Sequence, residues 1–221
     1  MMHVTPAKEP NDFDTLVRQP GLNAIAELVG EQGDPLKKVA NYRDELKGKH
    51  YPPYWRNATS QLLEAYSRIC AYACFYIEPT TGAATVDHFA PKSQSWDKAY
   101  EWSNYRLACS LMNTRKNKFD DVTDPFEVTE GLFALDLVTL KAIPGPKAGA
   151  KTEDVKAAIK RLKLDRAEYS DQLGEYYHDY WEGHITFAYL ERRAPFLAYE
   201  LKRQGRQRHG DVQIPHRRPI P

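Results

Sequence analysis

Apolar residues recur at helical spacing in several stretches of the chain, separated by clusters of proline and glycine. Residues 22–29 fit a short helix between Pro20-Gly21 and Gly30. Residues 36–49 predict a polar, charged helix, stopped by Pro52-Pro53. Asn57 or Ser60 can cap the next helix, which carries Leu62, Leu63, Tyr66 and Ile69 on one side. The texture then turns β-prone. Residues 74–77, a Pro79-Thr80-Thr81-Gly82 turn and residues 83–89 predict a hairpin. Residues 104–118 read as helix and 132–140 as a strand, and Pro144-Gly145-Pro146 with Gly149 marks the clearest linker. Helices are predicted over 152–164, 166–194 and 195–203, with Pro195 breaking the last pair. The tail beyond Gly205 is basic and proline-containing, and is expected to be poorly ordered.

The expected fold class is therefore α+β and mostly helical. It divides into an N-terminal helical region (1–64), a central unit with a following strand (65–145), a C-terminal helical region (146–205) and the tail (206–221). No internal repeat is visible.

Composition narrows the classes. With 221 residues, 28% charged and 42% hydrophobic, the chain has the make-up of a water-soluble globular protein of one domain or one and a half. Lys and Arg total 31 against 30 Asp and Glu, so a polyanion can be met only by a local patch. No stretch approaches the ~20 apolar residues of a membrane span. The first residues lack the apolar core of a signal peptide, so the expectation is a cytoplasmic protein without membrane contact. Three cysteines, an odd number, argue against a disulfide framework.

The chemistry concentrates between Cys70 and Asp121. Asp87-His88 ends a predicted strand, where one side chain can hold a cation while the other activates a water. A surface turn is the competing reading of an isolated Asp-His pair. Taken as a helix, residues 104–118 put Leu107, Ala108, Leu111 and Met112 on one stripe. Arg106, Ser110, Asn113, Lys116 and Asn117 then fall on the other. An amide oxygen beside a carboxylate suits a hard cation such as Mg²⁺, and Arg106 and Lys116 suit phosphate oxygens. A solvated helix face is the bland alternative.

The string T-V-D-H-F-A-P-K-S, then Y-E-W-S-N-Y-R-L-A-C and M-N-T-R-K-N-K-F, resembles the HNH endonuclease motif with its ββα-metal fold. The parts occur in the family's order: strand-terminal Asp-His, Asn104 16 residues after His88, Asn113 nine further on, and N-x-x-K. The likeness is firm over about 50 residues and weaker beyond, where P-P-Y-W-R, D-P-F and E-G-H-I carry it. The resemblance implies a nuclease that hydrolyses phosphodiester bonds, DNA before RNA, with one divalent metal ion, Mg²⁺ or Mn²⁺. It makes His88 the general base, Asp87 and Asn113 the metal ligands, and Asn104 the residue that ties the loop to the hairpin. The products expected for the class carry 5′-phosphate and 3′-hydroxyl ends. Compact proteins of this look are similar to nuclease components of bacterial anti-phage systems, often encoded beside an ATPase, which makes an ATPase or sensor subunit a candidate partner. The competing class is a nucleic-acid-binding or scaffold subunit whose core is structural.

One departure from the family matters. Many relatives brace the motif with two C-x-x-C pairs around zinc. Here Cys70 and Cys74 are separated by one residue too many, and Met112 stands where Cys109 would need a partner. A thioether is a poor zinc ligand, so no structural zinc is expected and the cysteines read as buried small hydrophobes. His178 and His184 lie on a tyrosine-rich helix and read as core residues, and His50 as a helix-end residue. Lys92 is a candidate phosphate contact. Arg192-Arg193 and the C-terminal arginines extend a nucleic-acid surface or merely solubilise.

Overall fold

The computed structural model of the protein describes residues 1–119 and 121–211. The architecture is mixed and mostly helical, with seven α-helices and two small antiparallel sheets among the described residues. None of these helices is long and apolar enough to cross a membrane.

The central element is a hairpin of long connection. Strand β1 (Ala84–His88) pairs antiparallel with β2 (Tyr105–Cys109), in a register that sets Val86 opposite Leu107, Asp87 opposite Arg106 and His88 opposite Tyr105. The connecting loop is compacted by two single helical turns, Trp96–Lys98 and Trp102–Asn104. One helix follows β2 without a linker: α3 (Ser110–Lys116).

This arrangement corrects two expectations. The partner of β1 is not residues 74–77, which contribute a single bridge, Ile69 to Tyr76. Cys74 takes a positive φ of 55°, which a regular strand does not accommodate. Residues 104–118 are also not one helix, because the first half is β2. That strand is buried along Tyr105, Arg106, Leu107 and Ala108, so it lacks the polar alternation that marks a half-exposed strand.

The flanks hold the hairpin. α1 (Gln19–Leu28) starts earlier than expected because Pro20 is tolerated in the first helical turn, where no amide donor is needed. Phe13 before it meets Trp102 and Tyr105 edge-on, at centroid distances of 5.6 and 5.7 Å. The helix expected over 36–49 does not form. Two isolated turns stand there, Pro35–Lys37 and Arg43–Glu45, and Leu36 is 92% exposed because the stretch has no apolar stripe to bury. α2 (Thr59–Ala65) stops short of Ile69 where Ser67 and Arg68 enter the left-handed region.

The strand expected over 132–140 is a hairpin, β3 (Phe133–Asp136) with β4 (Lys141–Pro144). Asp136 turns the chain by accepting from the Val138 amide and the Thr139 hydroxyl. Beyond it lie α4 (Thr152–Leu162), α5 (Ala167–Trp181), α6 (Phe187–Arg193) and α7 (Pro195–Arg203). The single helix expected over 166–194 is split by Gly183, at φ 81°, and by Thr186, whose side chain caps α6 at the Tyr189 amide. Of the expected basic tail, residues 206–211 fold back on α5, where the Tyr180 hydroxyl donates to Asp211 and accepts from the Arg208 amide. Residues 212–221 lie outside the described residues.

Candidate active site

The site grows from the last two residues of β1. Asp87 is 2% exposed, and its Oδ2 accepts from the Tyr72 hydroxyl at 2.5 Å and faces the Lys116 ammonium at 3.3 Å. Burial raises the Asp87 pKa, and Lys116 and Tyr72 pull the other way. Its Oδ1 receives no hydrogen bond from any described residue.

His88 is 8% exposed, with its ring fixed on three sides. Nε2 donates to the Ala99 carbonyl at 2.9 Å, and the Tyr105 hydroxyl donates to the same oxygen at 3.0 Å. Trp55 and Tyr105 meet the imidazole edge-on, at 4.9 and 5.1 Å between centroids. With the proton on Nε2, the neutral ring presents Nδ1 as its basic nitrogen. Desolvation, helped by the nearby Lys92 charge, pushes the His88 pKa down to about 3, so the ring is neutral at ordinary pH.

Asn104 closes the loop that carries Ala99. Its side chain accepts from the Ala90 amide at 2.7 Å and donates to the carbonyls of Ala90 and Lys98, while its own carbonyl accepts from the Phe89 amide. All of its side-chain bonds are therefore internal to the segment between β1 and β2. Asn113, one turn into α3, donates from Nδ2 to the Thr85 hydroxyl at 3.0 Å and toward the Val86 carbonyl at 3.4 Å. Its Oδ1 has no partner among the described residues.

Asp87, His88 and Asn113 share the wall of one open cavity of about 580 Å³ with Lys92, Trp55 and Lys118. The Lys92 ammonium sits 4.6 Å from the Trp55 ring centre, a cation–π contact that holds it over the cavity. Burial lowers its pKa and the Asp87 charge raises it.

Two expected phosphate contacts are elsewhere. Arg106 lies on β2, not on a helix face. Its guanidinium is bound in fork geometry by Asp124 (2.7 and 2.5 Å), donates to the Ser103 carbonyl and rests on the Phe126 ring at 3.4 Å. Lys116 is wholly buried, donating to the carbonyls of His88 and Phe89 at 3.1 and 3.0 Å besides its pairing with Asp87. Neither cation faces the cavity, because a buried charge is held by internal partners and not by solvent.

Other expectations shift too. His178 is exposed because α5 turns Tyr169, Leu173 and Tyr180 inward instead, and His184 is exposed in the connection between α5 and α6. His50 lies in a turn and accepts from the Lys47 amide. Arg193 is tied to Glu78 and stacked on Tyr76, so it is committed inside the fold. The three cysteines are unbridged, with Cys70 and Cys74 buried. Tyr72, Trp55 and the Ala99 carbonyl were not singled out by the sequence. Trp55 stood only within P-P-Y-W-R, and Tyr72 inside an apolar run with nothing to mark its hydroxyl.

The donor set bears on which cation could bind. Among the described residues, no group of three or more His, Cys, Asp and Glu side chains could hold a metal ion. Asp87 and Asn113, each with one side-chain oxygen that has no partner among the described residues, instead line a polar cavity. That pair fits a hard cation that draws most of its shell from water and substrate oxygens, as Mg²⁺ does, and fits poorly with a thiophilic metal. No protein-family model matches the chain, and no curated protein matches it either.

Proposed function

We propose that the protein is a metal-dependent endonuclease of the HNH type, hydrolysing phosphodiester bonds in nucleic acid, with DNA as the first substrate to test. The observation that carries this reading is His88, anchored through Nε2 at the Ala99 carbonyl with Nδ1 outside that bond, on one cavity wall with Asp87 and Asn113. The consecutive β1, β2 and α3 supply the ββα order that such a site uses.

His88 Nδ1 takes a proton from water, and the resulting hydroxide attacks phosphorus in line with the departing 3′ oxygen. The Ala99 carbonyl stabilises the imidazolium that forms, by keeping its hydrogen bond to Nε2–H. Lys92, steadied on Trp55, contributes positive charge to a non-bridging phosphate oxygen. Asp87 and Asn113 would hold the divalent cation, which supplies Lewis-acid stabilisation of the charge on the phosphate and the leaving oxygen. The ends produced are 5′-phosphate and 3′-hydroxyl.

The test is cleavage of double-stranded DNA, single-stranded DNA and RNA with Mg²⁺ or Mn²⁺. His88→Ala should lose about 10²–10⁴-fold of the rate while still binding nucleic acid. His184→Ala, on an exposed ring, should keep full activity. Undiminished cleavage by a folded His88→Ala protein would remove this mechanism, and no cleavage of any of the three substrates would leave a nucleic-acid-binding scaffold as the reading.

A further inference from the structure

Two of the three cysteines meet at the end of the β1–β2 ladder opposite His88. The Ala71 amide donates to the Leu107 carbonyl at 2.8 Å, which lays the chain around Cys70 alongside the end of β2. The Cys109 amide then donates to the Cys70 sulfur at 3.4 Å. Both cysteines line a second cavity, of about 240 Å³, with Phe75, Ile77, Met112 and Tyr169 among its walls. Cys74 is not part of it and sits instead near Met1 and Met2.

The two thiols are chemically unequal. The neighbouring Cys70 thiol and the amides of Met112 and Leu111 push the Cys109 pKa down, whereas burial pushes Cys70 up. Cys109 is also the more exposed of the pair.

We propose that Cys70 and Cys109 are an oxidation site, a dithiol that a small hydroperoxide converts to an intramolecular disulfide, with Cys109 attacking and Cys70 resolving. The Cys109 thiolate attacks one peroxide oxygen, the O–O bond breaks, and with hydrogen peroxide a sulfenic acid and hydroxide form, the hydroxide becoming water with the proton the thiol had released. The Cys70 sulfur then attacks the Cys109 sulfur. The S–S bond forms, the S–O bond breaks, and the hydroxyl leaves as a second water with the Cys70 proton. Two thiols lose two electrons and the peroxide gains them.

The bridge would join the start of α3, which carries Asn113 and Lys116, to the segment from which Tyr72 reaches Asp87. It would close a loop of more than thirty residues, so the oxidised form should unfold at a higher temperature.

The experiment treats the whole protein with near-stoichiometric hydrogen peroxide and reads intact mass, thiol titre, peptide map and melting temperature. A mass loss of about 2 Da, one remaining titratable thiol, a linked Cys70–Cys109 peptide and a melting temperature that falls back on adding reductant are expected. Cys74→Ser should behave the same way with no thiol left, and Cys109→Ser should show no mass loss. An unchanged mass, a gain of about 16 or 32 Da on Cys109 or Met112, or a bridge between two chains would overturn the proposal. These readouts do not depend on nuclease activity.

Discussion

Lys116 places its ammonium 3.3 Å from Asp87 Oδ2 and within hydrogen-bond reach of the His88 and Phe89 carbonyls, so one buried cation holds both halves of the Asp-His pair. Removing one partner of such a pair leaves a charge in a medium that cannot solvate it, at a cost of about 3–5 kcal/mol. Lys116→Met should therefore lose that much stability in urea titrations. Lys116→Met with Asp87→Asn should recover part of it, because no unpaired charge remains. Identical stabilities for the single and double variants would remove the ion pair from this account.

Divalent-ion binding should follow the two unpartnered oxygens. In calorimetry with Mn²⁺, Asp87→Ala should abolish measurable binding, since it removes the only formal negative charge of the two ligands. Asn113→Ala should weaken binding less, and Asp97→Ala, on the exposed loop, should leave it alone. Equal effects of the Asp87 and Asp97 substitutions would end this ligand assignment.

The acid side of the stability profile should carry the His88 signature. Its native pKa of about 3 lies below the ~6.5 of an unfolded imidazole, so between those values the unfolded chain binds a proton that the native chain does not. The stabilisation is complete above pH ~6.5 and drains away as pH falls toward 3. Asp87, with its pKa raised, works in the opposite sense and loses stability as pH rises through that raised value. Melting temperatures should drop from pH 7 to pH 5 in the wild type and drop less in His88→Gln. Parallel curves would assign the slope to other groups.

Salt dependence separates the cation that faces the cavity from the one that does not. Lys92→Gln should reduce the slope of log affinity for DNA against log salt by about one phosphate contact. Arg106→Gln should leave that slope unchanged and lower stability instead, because it breaks the fork with Asp124. A slope that changes with Arg106 and not with Lys92 would reverse the assignment.

The sequence marked residues that line the cavity better than the geometry that joins them. Asp87-His88, Asn104 and Asn113 were marked together only by the family resemblance, and β1 was legible from Thr85 and Val86 before a polar loop. Its partner was not. Tyr105, Leu107 and Ala108 are buried together with Arg106, whose charge is met by Asp124 18 residues away, so no local pattern distinguishes β2 from the start of a helix. The error over Arg106 and Lys116 follows from that one misassigned stretch. A helical projection turned both outward, whereas the strand and its register turn Arg106 toward Asp124, and tertiary packing buries Lys116 under β1. Tyr72 and Trp55 act through a partner brought close only by folding, which short-range spacing does not encode.

The Ala99 carbonyl accepts from both His88 and Tyr105, and Asn104 ties down Ala90 and Lys98 on either side of it. The loop is thus clamped at its two ends, with Ser93 and Gln94 exposed between them. Those two positions form an insertion port: a peptide grafted there, such as a sequence-reading module, would hang from the rim of the cavity while the imidazole keeps its tautomer. On the proposed nuclease reading, specificity would then be engineered at Ser93-Gln94 without loosening the His88 anchor at Ala99.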